Sequence, residues 1–160
     1  MIETTPEPPA GPPRMRRRLL WWIGGVVLLA TGGYGVVSYH MKSVPPDLDR
    51  SATRLSEQGV YRVSYVSRRD PIPVNQIHVW TLHIAAADGR PVERAAVSVD
   101  GRMPRHIHGL PTRPRVTSEL GHGDYQVEGL KFHMPGWWVV DFQINAAGRR
   151  DIVRFNLVLD

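Results

Sequence analysis

Residues 19–39 (LLWWIGGVVLLATGGYGVVSY) carry no charge over their whole length, and this run constrains the chain more than any other feature. As an α-helix it rises roughly 32 Å at about 1.5 Å per residue, which matches the hydrocarbon core of a bilayer. Trp21 and Trp22 lie at one end, and Tyr34 and Tyr39 lie towards the other, where amphipathic rings favour the membrane–water interface. Arg14, Arg16, Arg17 and Arg18 directly precede the run; such a cluster stays cytoplasmic and sends the C-terminal part across the membrane. Residues 1–18 read as a disordered Pro-rich and Arg-rich cytoplasmic tail, too poor in apolar groups to offset the entropy of ordering. A cleaved signal peptide competes with this reading. Leu19–Ala30 would be its apolar core and Thr31-Gly32-Gly33 its cleavage site. The apolar run continues past that site, which favours a retained transmembrane helix over 19–39 with the lipid bilayer as its partner. The expected location is the bacterial inner membrane, single-pass, with the N-terminus cytoplasmic and the C-terminal domain periplasmic.

Once the anchor is set apart, the charge of the chain looks different. The net charge of +5 and a pI near 10.1 suggest a nucleic-acid partner at first. Residues 1–42 hold five of the twenty basic residues against Glu3 and Glu7, which leaves the remainder nearly balanced at fifteen basic and thirteen acidic. No lysine or arginine stripe with interleaved aromatics occurs, so nucleic acid is not the expected partner. The chain has no cysteine, which excludes disulfides, thiolate metal sites and a cysteine nucleophile. A metal site here must use His, Met, Asp or Glu.

Residues 40–58 read as a linker, with Pro45-Pro46 and a short helix around 49–58. Residues 59–160 carry the punctuation of a β domain. Val60–Ser67, Ile77–Ala86, Arg94–Asp100, Val116–Leu120, Asp124–Gly129, Leu130–Met134, Trp137–Asn145 and Ile152–Leu159 are rich in β-branched and aromatic residues. Asp88-Gly89 and Ala147-Gly148 are turn signals. Short strands with turns every 8–12 residues predict an all-β fold, an immunoglobulin-like β-sandwich of about seven strands preceded by one N-terminal transmembrane helix. Trp80 is expected in the core.

The chain lacks GxSxG, P-loop, GxGxxG and HExxH signatures, and its carboxylates are scattered singly, so an enzyme is not expected. The best chemical lead is Gly101-Arg102-Met103-Pro104-Arg105-His106-Ile107-His108-Gly109, with Phe132-His133-Met134-Pro135-Gly136 further on. In an extended chain His106 and His108 share a face and can converge on one ion. Met103 and Met134 each lie within three residues of a histidine, and thioether plus imidazole suits copper, Cu(I) in particular. Polar edge histidines bonded to backbone and methionines filling core gaps are the plain alternative. His78 and His83 should face opposite sides of one strand, and His122 between two glycines reads as a turn residue. Pro135-Gly136 turns into Trp137-Trp138, one ring facing the core and the other outward, where it can offer a partner surface, lie against the membrane or shield the metal site.

These residues resemble a known family. Trp80-Thr81-Leu82-His83-Ile84, Gly89-Arg90-Pro91-Val92 leading into Ala96–Asp100, Met103-Pro104-Arg105-His106-Ile107-His108-Gly109, Gly123-Asp124-Tyr125 and Phe132–Trp138 together resemble the YtkA-like domain, related to the FixH group of membrane-anchored envelope proteins. The resemblance implies an immunoglobulin-like sandwich in the periplasm, and its FixH-like relatives imply copper delivery and assembly of haem–copper oxidases. The expectation is therefore a non-catalytic, membrane-anchored copper-binding or copper-handling domain, with His106 and His108 as core ligands and Met103, His133 and Met134 as supplements. The alternative is a metal-free structural or interaction module of a membrane complex.

Overall fold

Inward and outward side chains alternate along nearly every strand from Tyr61 to the C-terminus, and that period of two organises the fold. The computed structural model describes residues 44–160, so the proposed tail and membrane helix lie outside the described residues. Among the described residues there is no helix, and none long and apolar enough to cross a membrane. The strands are β1 (Thr53–Leu55), β2 (Tyr61–Ser67), β3 (His78–Ala86), β4 (Ala96–Met103), β5 (His108–Gly109), β6 (Arg115–Gly121), β7 (Asp124–Leu130), β8 (Gly136–Ala146) and β9 (Arg149–Leu159).

All nine belong to one sheet: eight follow the hydrogen-bonded path β1-β2-β3-β7-β6-β4-β8-β9, and β5 lies off it, paired to β4. Every strand pair is antiparallel. The expectation of an all-β domain holds, with nine strands in place of about seven. The ladder between β6 and β4 thins to the single pair Ser98↔Arg115, which divides the sheet into two arms. The two arms then bury a common core. Tyr65 of β2 meets Phe155 of β9 edge to face at 4.9 Å between ring centroids, and Trp80 of β3 faces Phe142 of β8 at 6.3 Å. Trp80, Trp138, Phe132, Phe142 and Phe155 have no exposure at all. Each such ring stabilises the fold by about 1.5–3 kcal/mol through area removed from water.

The sheet nearly closes where its two ends meet. Glu57 N–H, just after β1, donates to the Ile152 carbonyl of β9 at 2.8 Å. The Asp151 carboxylate, on a residue only 2% exposed, accepts from the backbone N–H groups of Gln58, Val60 and Ile152. The Tyr61 hydroxyl donates to the Arg149 carbonyl at 2.7 Å, across the same seam. A helix around 49–58 is therefore corrected. Residues 53–55 form β1 because pairing with β2 and proximity to β9 satisfy backbone groups that a short helix would leave open. Leu130–Met134 is also not a strand beyond Leu130. It forms a strap in which Phe132 is buried and bridges only Val74.

Candidate metal centre

Two segments that are far apart in sequence meet at one end of the β4–β8 arm. The first is the hairpin joining β4 to β5. Met103 pairs with His108, His106 N–H donates to the Met103 carbonyl at 3.1 Å, and Leu110 N–H donates to the Gly101 carbonyl at 3.1 Å. Gly101 lets the hairpin close, since a Cβ there would sit 3.0 Å from Leu110 Cγ. The strand does not end at Asp100, as its sequence suggested, but runs on to Met103. His106 thus lies in a turn, and only His108 lies in a strand.

The second segment is the strap from Lys131 to Pro135. Asn75 N–H donates to the Phe132 carbonyl at 2.6 Å, and Trp138 Nε1 donates to the Met134 carbonyl at 3.0 Å. These two bonds fix His133 between them. Its ring lies 5.5 Å from that of His108 at 87°, and the His108 ring stacks on His106 at 6.0 Å and 28°. On its other side His133 meets the buried Trp138 ring at 5.4 Å and 78°. The three imidazoles form a row that runs from solvent to core. His106 and His108 are exposed and His133 is half-buried, with its Nδ1 enclosed and without a hydrogen-bond partner.

An unpaired buried ring nitrogen costs about 1–3 kcal/mol, so its position calls for a proton donor, an acceptor or a cation. Rings bound to one ion through nitrogens at about 2.0–2.1 Å have centroids roughly 5–5.5 Å apart. The His108–His133 spacing fits that range, and His106–His108 is slightly wide. As placed, the nitrogens do not converge: among the described residues no group of three or more His, Cys, Asp or Glu side chains is arranged to hold a metal ion. The arrangement is therefore one of adjacent rings. Side-chain rotation of the exposed His106 and His108 is what a shared ion would require. The donor set, imidazole with thioether nearby and no carboxylate, fits a copper ion better than Ca²⁺ or Mg²⁺.

The methionines are less available. Met103 is 2% exposed, and its methyl group lies 3.2 Å from where a Gly136 Cβ would be. It joins the two segments from beneath and belongs to the core. Met134 is partly buried and packs against the same core. The adjacent tryptophans divide as the turn predicts. Trp138 is fully buried and so offers no partner surface, while Trp137 is half-buried and donates from Nε1 to Asn156 Oδ1 at 3.1 Å.

The remaining histidines lie elsewhere. His78 is buried against Phe132 and Trp80, and burial pushes its pKa below the ordinary imidazole range despite the Nδ1 bond to the Gln76 carbonyl. His83 faces outward on the opposite side, with Nδ1 2.6 Å from Asp124 Oδ1. His122 has φ +54° in the turn between β6 and β7. Sequence reasoning missed Val74 and Asn75, whose backbone braces the strap. No local signal marks them, because the bridge to Phe132 is a long-range pairing.

The family comparison covers most of the β domain, up to β8. The model of the YtkA-like family matches residues 56–143, a span that includes the hairpin and the strap. The crystal structure of a DUF4426 family protein from Pseudomonas aeruginosa PAO1 aligns over 66% of this chain and 96% of its own length, with 20% identity and a TM-score of 0.49. No curated protein matches.

Proposed function

The chain belongs to the YtkA-like family, and from that premise we propose that it is a non-catalytic, membrane-anchored copper-binding or copper-handling domain facing the bacterial periplasm. The observation that carries this reading is the row of imidazoles. His106 and His108 come from one hairpin and His133 from a separate strap, and they are adjacent in space with one enclosed nitrogen unpaired. In this reading His108 and His133 are the central ligands and His106 joins from the exposed turn. Met134, partly rather than fully buried, is the more accessible thioether, and Met103 supports the site from the core. Copper supplies redox-active, soft-ligand chemistry when bound. The protein's own part is to hold the rings at the mouth of a packed core and to leave them open to solvent, where a partner can reach the ion. The FixH-type relation, the periplasmic address and support for assembly of a copper or respiratory enzyme belong to the same proposal. The first and the last are what the family resemblance implies, and the address rests on the arginine-flanked apolar run over 19–39, with which the absence of thiols is compatible.

The test is a competition titration of the full chain in detergent against a copper chelator. Copper binding is expected at sub-micromolar dissociation constant, weakened about tenfold or more by His108→Ala and by His133→Ala, a loss typical of ligand or ligand-support residues. Equal affinity in wild type and both variants overturns the assignment. The second reading, a metal-free interaction module, is favoured by the unconverged nitrogens and by Ile107, which stands wholly exposed at the tip of the same hairpin. It predicts no copper binding and a co-purifying membrane partner whose retention depends on Ile107 and Trp137.

A further inference from the structure

One outer sheet face collects four arginines, none of them in an ion pair among the described residues. Arg68 continues β2, its N–H donating to the Val79 carbonyl, and its guanidinium crosses β3 to reach Gln126 Oε1 at 2.7 Å. Arg69 is bound to Gln76 Oε1 at 3.1 Å. Arg115 stands on β6 directly opposite Glu128, and Arg113 precedes it; both line a shallow cavity of about 410 Å³ together with Ile77 and Val79. Among the described residues none of these four arginines is in an ion pair, whereas Arg54, Arg90, Arg102 and Arg154 each have a carboxylate partner. Glu128 is the acidic residue lining this cavity, and Gln126 Nε2 donates to it. Two aliphatic side chains stand out of the same face, Val66 at 67% and Ile77 at 63% exposure. Val66 lies in one cross-strand row with Thr81 and Gln126, so it and Arg68 belong to a continuous surface.

Guanidinium groups held by neutral amides or left open keep their charge available, and they bind phosphate oxygens in forked pairs. Aliphatic side chains among them suit the boundary between headgroups and acyl chains. We propose that this face docks onto anionic phospholipid headgroups, with Arg68, Arg69, Arg113 and Arg115 on the phosphates and Val66 and Ile77 entering the interface. Tethering of the domain to a bilayer, which rests on the anchoring part of the functional reading, keeps the lipid at high effective concentration, so weak contacts suffice. Copper plays no part in this contact.

The test uses residues 44–160, which hold the hydrophobic core of the described residues and form a unit of their own, so the anchor cannot contribute to binding. The protein is sedimented, with chelator present, with vesicles of phosphatidylcholine alone or mixed with phosphatidylglycerol. Binding to the mixed vesicles only is expected, and it should fall as salt is raised. Each arginine removed should weaken it roughly fivefold, so Arg113→Gln with Arg115→Gln gives about 25-fold. Arg68→Gln with Arg69→Gln is the parallel variant. Arg149→Gln with Arg150→Gln at the exposed start of β9 removes the same charge and should change binding less than about twofold, circular dichroism confirming that each variant is folded. No binding to the mixed vesicles at low salt overturns the proposal, as do equal weakening by the control pair, equal binding to phosphatidylcholine alone, or preferential binding of polyglutamate. Because copper is absent throughout, failure here leaves the metal assignment standing.

Discussion

Asp151→Asn isolates the contact that closes the sheet. In the wild type the carboxylate accepts from Ile152 N at 2.8 Å through Oδ1 and from Gln58 N at 3.0 Å and Val60 N at 3.3 Å through Oδ2. An amide of the same shape keeps one oxygen and turns an NH₂ group towards N–H donors at the other position. At least one buried backbone donor is then unpaired, and the charge assistance of the others is lost. Bonds to charged groups contribute about 1.5–3 kcal/mol each, so the variant should lose roughly 2–4 kcal/mol. For a domain of this size that lowers Tm by roughly 8–16 °C. The effect should also depend on pH. Burial alone raises the pKa of Asp151, but hydrogen bonds from Ser56 and the backbone of Ile152, Val60 and Gln58 outweigh it and hold the carboxyl below the usual range. A carboxyl depressed in the folded state contributes stability in full above its unfolded value, about 3.9, and loses it as pH falls through the folded value. Thermal melts followed by circular dichroism should therefore show a wide gap between wild type and variant at neutral pH, narrowing below about pH 4. A variant that melts within about 1 °C of wild type at neutral pH refutes this reasoning, and so does a gap that stays constant into strong acid.

Further predictions concern single positions. Gly123→Ala places a Cβ 2.4 Å from the Ile84 carbonyl oxygen at φ +81°, so it should cost about 3 kcal/mol or more in a denaturant titration; Gly89→Ala, at φ +85° with open space around it, should cost only about 1 kcal/mol. His78 is buried with a depressed pKa, chiefly through desolvation, so its contribution to stability is complete above the unfolded imidazole value near 6.5 and declines as pH falls from there through the folded value. His78→Gln should flatten the dependence of Tm on pH in that window, and an unchanged slope counts against burial as the cause.

The parts of the fold that depend on neighbouring residues were legible in the sequence. Ala147 and Gly148 adopt φ +48° and +76°, the paired positive values of a two-residue hairpin turn, and they join β8 to β9 as their identity suggested. Trp80 is wholly buried in β3. What could not be read are the features set by distant partners. The apolar spacing of Leu130, Phe132 and Met134 resembles a strand, yet these residues form a strap because Val74 and Asn75 meet Phe132 only through a local bridge. The stretch 49–58 looks locally helical, and β1 arises there from the seam with β2 and β9. The histidines show both effects. Their residue types pointed to one cluster, but His106 and His108 do not share a strand face as an extended chain would have them. They stack across a turn, and the nearness of His133 comes from a strap whose position the sequence does not encode locally.

The central claim is that imidazoles from two separate segments hold one copper ion. X-ray absorption spectroscopy of the copper-loaded full chain, compared between wild type and His133→Ala, tests it most directly. Backscattering from at least two imidazoles is expected in the wild type at about 2.0 Å, as for other first-row ions on imidazole, with one imidazole fewer in the variant. An identical copper environment in both proteins contradicts the claim.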